Sequence, residues 1–272
     1  MFDSPFGRVL GTGLSVLLSC TASVVARSMP DAAPPPGTSA GALVVGRDVS
    51  WPNCPKGMGM PSRRTQGKPM PPPSARFVVI GLTNGPAFHP NPCLAAQVDY
   101  ARSRHLWAAA YAVLTYPTRS QLRRYGGPRD AGRAQARQNV AALREVGLPS
   151  PIVWVDVEPV SPPAPWSPRV RANRAVLDGA LAAYRDAGLR VGFYSTPSMW
   201  RSILGPVRPG RPEWRTAGLS TRSAARARCA DRDSFQGGRA VLTQWYSTRE
   251  DFDVLCPGRP AHDVLAEFFT RL

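Results

Sequence analysis

Residues 151–159, PIVWVDVEP, carry the pair of side chains best placed to do chemistry, Asp156 and Glu158. β-Branched and aromatic residues bounded by prolines read as a buried strand. Alternation along a strand puts Trp154, Asp156 and Glu158 on one face and Val153, Val155 and Val157 on the other. Two carboxylates at that spacing stand roughly 7 Å apart at their Cα atoms. Such a pair can cleave a glycosidic bond: one carboxyl protonates the leaving oxygen, and the other attacks, activates water or steadies a charged intermediate. An Asp-x-Glu pair also suits the substrate-assisted variant, in which the sugar's own N-acetyl oxygen attacks. Crowded carboxyls raise at least one pKa, which keeps an acid protonated near neutral pH. The plainer reading is an acidic strand end paired with one of the many arginines. Trp154 reads as core.

The elements that must position this pair follow from periodicity. Strands are expected over 43–51, 76–85, 105–116, 151–159, 189–196, 213–219 (weak) and 240–246. Helices are expected over 93–104, 129–146, 168–187, 198–204 and 262–272, with Gly147 and Gly188 as stops. Residues 56–74 have no periodicity and read as a long exposed loop. Alternating strands and helices imply an α/β fold with a parallel sheet. Roughly 230 residues suit a modified TIM-type (β/α) barrel in a single domain, with chemistry at the C-terminal strand ends. Asp48, Asn84, Tyr111, Asp156, Glu158 and Tyr194 fall at or near such ends.

The net charge of +16 suits an anionic partner such as nucleic acid, an acidic membrane or a wall polymer. The arginines are scattered, however, and there is no nucleic-acid motif. With 3 His in the chain, a metal site is not expected, and no cofactor is implied. No Gly-x-Ser-x-Gly string is present, and His89 and His105 read as structural or exposed.

Residues 1–26 read as an export signal, with Arg8 ahead of an apolar stretch too short and broken for a membrane span. Either cleavage follows Ala26, or Leu17-Leu18-Ser19-Cys20, which resembles a bacterial lipobox, makes Cys20 a lipidated N-terminus. Residues 27–42 are expected to be a disordered linker, and 43–272 the barrel domain. The location implied is secreted or in the cell envelope, with membrane attachment only through that lipid. Cys54, Cys93, Cys229 and Cys256 then remain, consistent with export. Four cysteines allow three connectivities, and the chain order suggests two local pairs, Cys54 with Cys93 and Cys229 with Cys256.

Several strings, in order, resemble glycoside hydrolase family 25, the muramidase-type lysozymes. They are Asp48-Val49-Ser50, the run from Val153 to Glu158, Val191-Gly192-Phe193-Tyr194-Ser195, Gln244-Trp245 and Asp253. The resemblance is closer to an actinobacterial branch of secreted proteins, through the strings at 48–54, 91–97, 237–238 and 242–244. It implies a barrel that hydrolyses the bond between N-acetylmuramic acid and N-acetylglucosamine. By position, Glu158 would be the general acid and Asp156 would steady the intermediate. Asp48 and Asp253 would be further cleft carboxylates, and Tyr111, Tyr194 and Trp245 would line the groove. The implied partner is peptidoglycan or another anionic wall glycan, bound by a monomer.

The chain departs from the family pattern at three places. Trp51 is followed by Pro52-Asn53, the late strand reads Gln244-Trp245-Tyr246, and Asp253-Val254-Leu255 lacks the family's asparagine. Three functions are therefore weighed: a wall-cleaving glycosidase, favoured by the four carboxylates; a catalytically silent wall-binding protein, favoured by the altered flanks; and a lipid-anchored envelope protein with an unrelated partner.

Overall fold

The computed structural model describes residues 43–159 and 166–272. The expected signal segment, Cys20 and the linker at 27–42 lie outside the described residues. In chain order the described elements are β1 (Val45–Val49), the hairpin β2 (Gly59–Met60) and β3 (Arg63–Arg64), β4 (Phe77–Gly81), α1 (Leu94–Ser103), β5 (Trp107–Val113), α2 (Arg119–Tyr125) and α3 (Pro128–Glu145). They continue with β6 (Ile152–Asp156), α4 (Val170–Asp186), β7 (Arg190–Ser195), α5 (Pro197–Leu204), β8 (Glu213–Leu219), α6 (Arg222–Ala227), β9 (Ala240–Tyr246), β10 (Asp251–Leu255), α7 (Ala261–Phe268) and β11 (Thr270–Arg271).

Eight strands close into a barrel in the order β1-β4-β5-β6-β7-β8-β9-β10, with β10 returning to β1. Strand alternation separates two apolar layers. Val153, Val155, Val78 and Ile80 face the helices, whereas Trp154, Val79, Trp214 and Leu242 fill the barrel. Phe268 from α7 reaches Trp154, at 6.0 Å between ring centroids, and plugs the lower end. Trp154 is fully buried there, as its strand phase requires.

The sequence expectation of a uniformly parallel sheet is corrected at the seam. β10 runs antiparallel to both β1 and β9. It follows β9 through a tight reversal in which Ser247 donates its N–H to the Glu250 carbonyl at 2.9 Å. The closing helix ends at Phe268 rather than running to the terminus, because Thr270 and Arg271 pair with the lower end of β5, below the point where β6 joins it. The short helices α2 and α6 are polar nearly all round and give no periodic signal, but each is capped by a threonine, Thr118 or Thr221.

The expectation of an exposed loop over 56–74 holds for most of the segment, but part of it is ordered. Residues 59–64 form the β2–β3 hairpin. Thr65 is buried, and its hydroxyl accepts from Met58 N–H at 2.7 Å. The N–H groups of Gln66 and Lys68 both donate to the Pro52 carbonyl, at 3.2 and 3.0 Å. The segment is a built wall, and Cys54–Cys93 fastens its base to the barrel. The second bond is Cys229–Cys256.

The helices α3 and α4 cross at glycines. A Cβ at Gly132 would stand 2.0 Å from the Val176 carbonyl oxygen, and one at Gly179 would stand 1.8 Å from that of Arg129. β8, weak in the sequence, is a full barrel strand. Its wholly buried Glu213 accepts from Arg215 Nε at 2.6 Å and from the N–H groups of Gln236 and Gly238, each at 3.0 Å. Arg215 in turn donates to the carbonyls of Arg228 and Ala230. Each buried charge is thus paired and fully bonded, the condition for keeping it out of water.

Candidate active site

A groove of about 320 Å³ opens at the C-terminal ends of the strands. Asp48, at the end of β1, comes from one wall; Asp156 and Glu158, at and beyond the end of β6, come from the other. Tyr111 and Tyr194 line it between them. The alternation of β6 brings Trp154, Asp156 and Glu158 to the barrel side, with Trp154 below and the carboxyls above it.

Burial sets the acidity of this cluster. Glu158 remains partly exposed, but desolvation lifts its carboxyl from the ordinary 4.5 to about 7, opposed by the charge of Arg63. Asp156 is pushed well above the carboxylate range by burial first, then by the charges of Glu158 and Asp48. Its Oδ1 receives no hydrogen bond among the described residues. Asp48 rises to about 7, from burial and from Asp251, and is moderated by the hydrogen bond from Gln244. Neighbouring carboxyls in a dry site cannot all ionise, so the cluster holds protons near neutral pH.

Four positions refine the sequence expectations. Asp253 is wholly buried beneath the groove, where its Oδ1 accepts from Trp214 Nε1 at 2.8 Å. Burial and the charge of Asp48 push its carboxyl well above the carboxylate range, and its Oδ2 has no hydrogen-bond partner among the described residues. It lies below the groove rather than on its lining. The carboxylate of β10 that lines the groove is Asp251, two residues earlier on the same strand face. Trp245 does not line the groove. Its neighbour Gln244 faces inward, so Trp245 faces outward and stacks on Phe252 at 5.0 Å, with the Arg47 guanidinium 4.1 Å over the far side of Phe252. Asn84 is buried under the hairpin, not in the groove.

The residues that sequence reasoning missed are Gln244 as a site residue, Asp251, Trp214, Tyr246 and Arg63, all on the lining. Gln244 ties the cluster together: its amide donates to Asp48 Oδ2 at 2.9 Å, and its oxygen accepts from Tyr194 Oη at 2.8 Å and Thr216 Oγ1 at 3.0 Å. The Gln244-Trp245 string was the available signal, read one residue out of phase. Among the described residues, no group of His, Cys, Asp and Glu is arranged to hold a metal ion.

Comparison with known proteins bears on what this barrel is. A family model described as lysozyme-like protein 1 matches residues 95–215, which span Tyr111, Asp156, Glu158 and Tyr194. A bacterial lysozyme from Streptomyces coelicolor superposes with a TM-score of 0.55 at 15% identity, over 85% of this chain and 98% of that one. The fold is that of the family 25 lysozymes. A family 25 lysozyme from Aspergillus fumigatus superposes at 0.53 and 14% identity, over 84% of this chain and 99% of that one. A family 25 glycosyl hydrolase from Bacillus anthracis gives 0.53 and 14%, over 81% and 92%. Comparison with curated proteins gives no significant match. The family 25 resemblance seen in the sequence strings is thus also a resemblance of the whole barrel. Among the described residues, no helix is long and apolar enough to cross a membrane.

Proposed function

We propose that the chain is an exported muramidase that hydrolyses the glycan strand of peptidoglycan between N-acetylmuramic acid and N-acetylglucosamine. The observation that carries this reading is the meeting of Asp48, Asp156 and Glu158 in one open groove, with Glu158 solvent-accessible and half-protonated near pH 7. An acid of that pKa suits protonation of a leaving glycosidic oxygen at neutral pH. The lysozyme-like family match and the family 25 barrel supply the substrate class.

Glu158 acts as general acid. Asp156 is inward of it on the same strand face, where its carboxyl steadies the ring formed when the N-acetyl oxygen attacks the anomeric carbon. Asp48 is fixed by Gln244 on the opposite wall, where it orients substrate or water. Tyr111 and Tyr194 offer aromatic surface to the apolar C–H faces of pyranose rings. Export rests on the apolar stretch at 1–26 and on the two disulfides, which persist in an oxidising compartment.

The test is release of reducing sugar from purified cell wall by the wild type and by Glu158→Gln. Release by the first and loss in the second is expected. Wild-type protein that pellets with the wall but releases no sugar would leave a binding protein in place of an enzyme. Mass spectrometry of the mature protein separates lipidation at Cys20 from cleavage after Ala26.

A further inference from the structure

The β2–β3 hairpin supplies none of the carboxyls above, yet it sends one side chain, Arg63, into the groove. Three constraints aim it there. β3 pairs Arg63 with Met60. The buried amide of Asn84 donates to the Arg63 carbonyl at 3.4 Å. Gly85, at φ +77°, leaves to Arg63 the space a side chain would take, since a Cβ there would stand 2.4 Å from Arg63 Cδ and 2.6 Å from Nε. The hairpin's base is fastened by Cys54–Cys93 and by the paired bonds to the Pro52 carbonyl. A guanidinium positioned in advance loses little freedom on binding.

Arg63 is a cation in a groove whose other charged lining residues are the carboxyls of Asp48, Asp156, Glu158 and Asp251, and it acts on Glu158. It forms no ion pair among the described residues, whereas Lys68 of the same insertion stands 3.8 Å from Asp251. Its donors form a planar fork that matches the two oxygens of a carboxylate.

We propose that Arg63 determines specificity by receiving a carboxylate carried on the sugar beside the cleaved linkage, so that the groove prefers glycan strands with free lactyl carboxylates. This rests on the muramidase reading. The lactyl ether of muramic acid is the ionisable group nearest that linkage. Where it carries a peptide it is a neutral amide, which offers the guanidinium one oxygen and no charge. Where the peptide has been removed it is a carboxylate, which takes two charge-assisted hydrogen bonds.

The experiment compares wild type, Arg63→Gln and Arg63→Lys on two substrates, wall glycan with its peptides and the same glycan stripped by an amidase. The wild type is expected to favour the stripped strand in kcat/KM by roughly tenfold, on the scale of a charge-assisted bond. Arg63→Gln brings the ratio close to one, and Arg63→Lys retains part of it. Neutralising Arg63 also alters the acidity of Glu158, but that change acts on both substrates alike, so the ratio isolates recognition. Equal kcat/KM on the two substrates in wild type, or an unchanged ratio in Arg63→Gln, overturns the proposal. If neither substrate is cleaved, the muramidase reading fails and binding decides the role of Arg63. Calorimetric titration of Glu158→Gln, with and without Arg63→Gln, would use a muramic-acid-containing tetrasaccharide and its methyl amide. A preference for the acid that vanishes with Arg63 upholds the proposal; equal affinities, or no binding, overturn it.

Discussion

Gln244 donates its side-chain amide to Asp48 at 2.9 Å, joining β9 to β1 across the antiparallel strand that separates them. The same Gln244 accepts from Tyr194 and Thr216, so its orientation is fixed and Asp48 always meets a donor. Replacing Gln244 by Glu puts a carboxylate against Asp48 in a buried site. The variant is expected to lose roughly 3 kcal/mol of stability at pH 8 and to recover part of it at pH 5, where the new pair holds a proton. Denaturant melts at the two pH values check this; equal losses at both would refute the role given to Gln244.

Stability should fall as pH rises through neutrality. Burial lifts Glu158 from 4.5 and Asp48 from 3.8, each to about 7. A group with a raised folded pKa binds more protons folded than unfolded, so its contribution is complete below about pH 4 and is lost as pH climbs to about 7. Asp156 and Asp253 shift in the same direction. The melting temperature is expected to be higher at pH 5 than at pH 8 by several degrees, on the order of 5 °C. Calorimetric scans between those values check it.

Wall cleavage should show the same group from the kinetic side. With Glu158 as the acid and its carboxyl near 7, kcat/KM is expected to fall tenfold per pH unit at alkaline pH, with the bend close to 7. Glu158→Gln should retain the fold and lose roughly a hundredfold or more of activity. A flat profile from pH 6 to 9 would assign the acid elsewhere.

The Cys54–Cys93 bond closes a segment of 39 residues that includes the groove wall. Replacing both cysteines by serine is expected to cost about 3–4 kcal/mol on the chain-entropy account. It should also raise KM, because Arg63 and the wall it stands on lose their anchor. Urea unfolding and substrate titration measure the two effects separately.

Gly179 lets α4 approach the backbone of α3. Gly179→Ala would place a Cβ 1.8 Å from the Arg129 carbonyl oxygen, so the helices must part. A loss of about 1–3 kcal/mol is expected, despite the better helix propensity of alanine. The melting temperature and the near-ultraviolet spectrum would report it.

The sequence made the β6 carboxyl pair legible because strand phase alone decides which residues share a face, and Trp154 beneath them confirmed the phase. Both disulfide pairs followed from local order. Asp48 and the two groove tyrosines were legible as polar residues at strand ends. The phase of β9 was not, because Gln244 and Trp245 both suit a sugar groove and only hydrogen-bond register separates them. β10 was missed because its carboxylates, Asp251 and Asp253, resemble a solvated turn until Trp214 is seen to donate to one of them from inside the barrel. The hairpin at 59–64 was missed because its strands are two residues each and its order comes from Asn84, Pro52 and a disulfide, not from any periodicity of its own.

The position of β10 has a consequence for how the molecule is made. β4 pairs with one edge of the first strand, but on the other edge Val45 and Gly46 pair with Val254 and Asp253, so that edge waits for a partner more than 200 residues away. While the polypeptide is being delivered, Asp48 therefore stands on an open sheet margin, with neither Gln244 nor Asp253 beside it. Catalytic competence should appear only after nearly the whole chain has emerged, and a chain arrested at residue 250 should be sensitive to protease along its first strand. If the chain is the wall-cleaving enzyme proposed above, a centre that assembles this late is inactive until synthesis is complete.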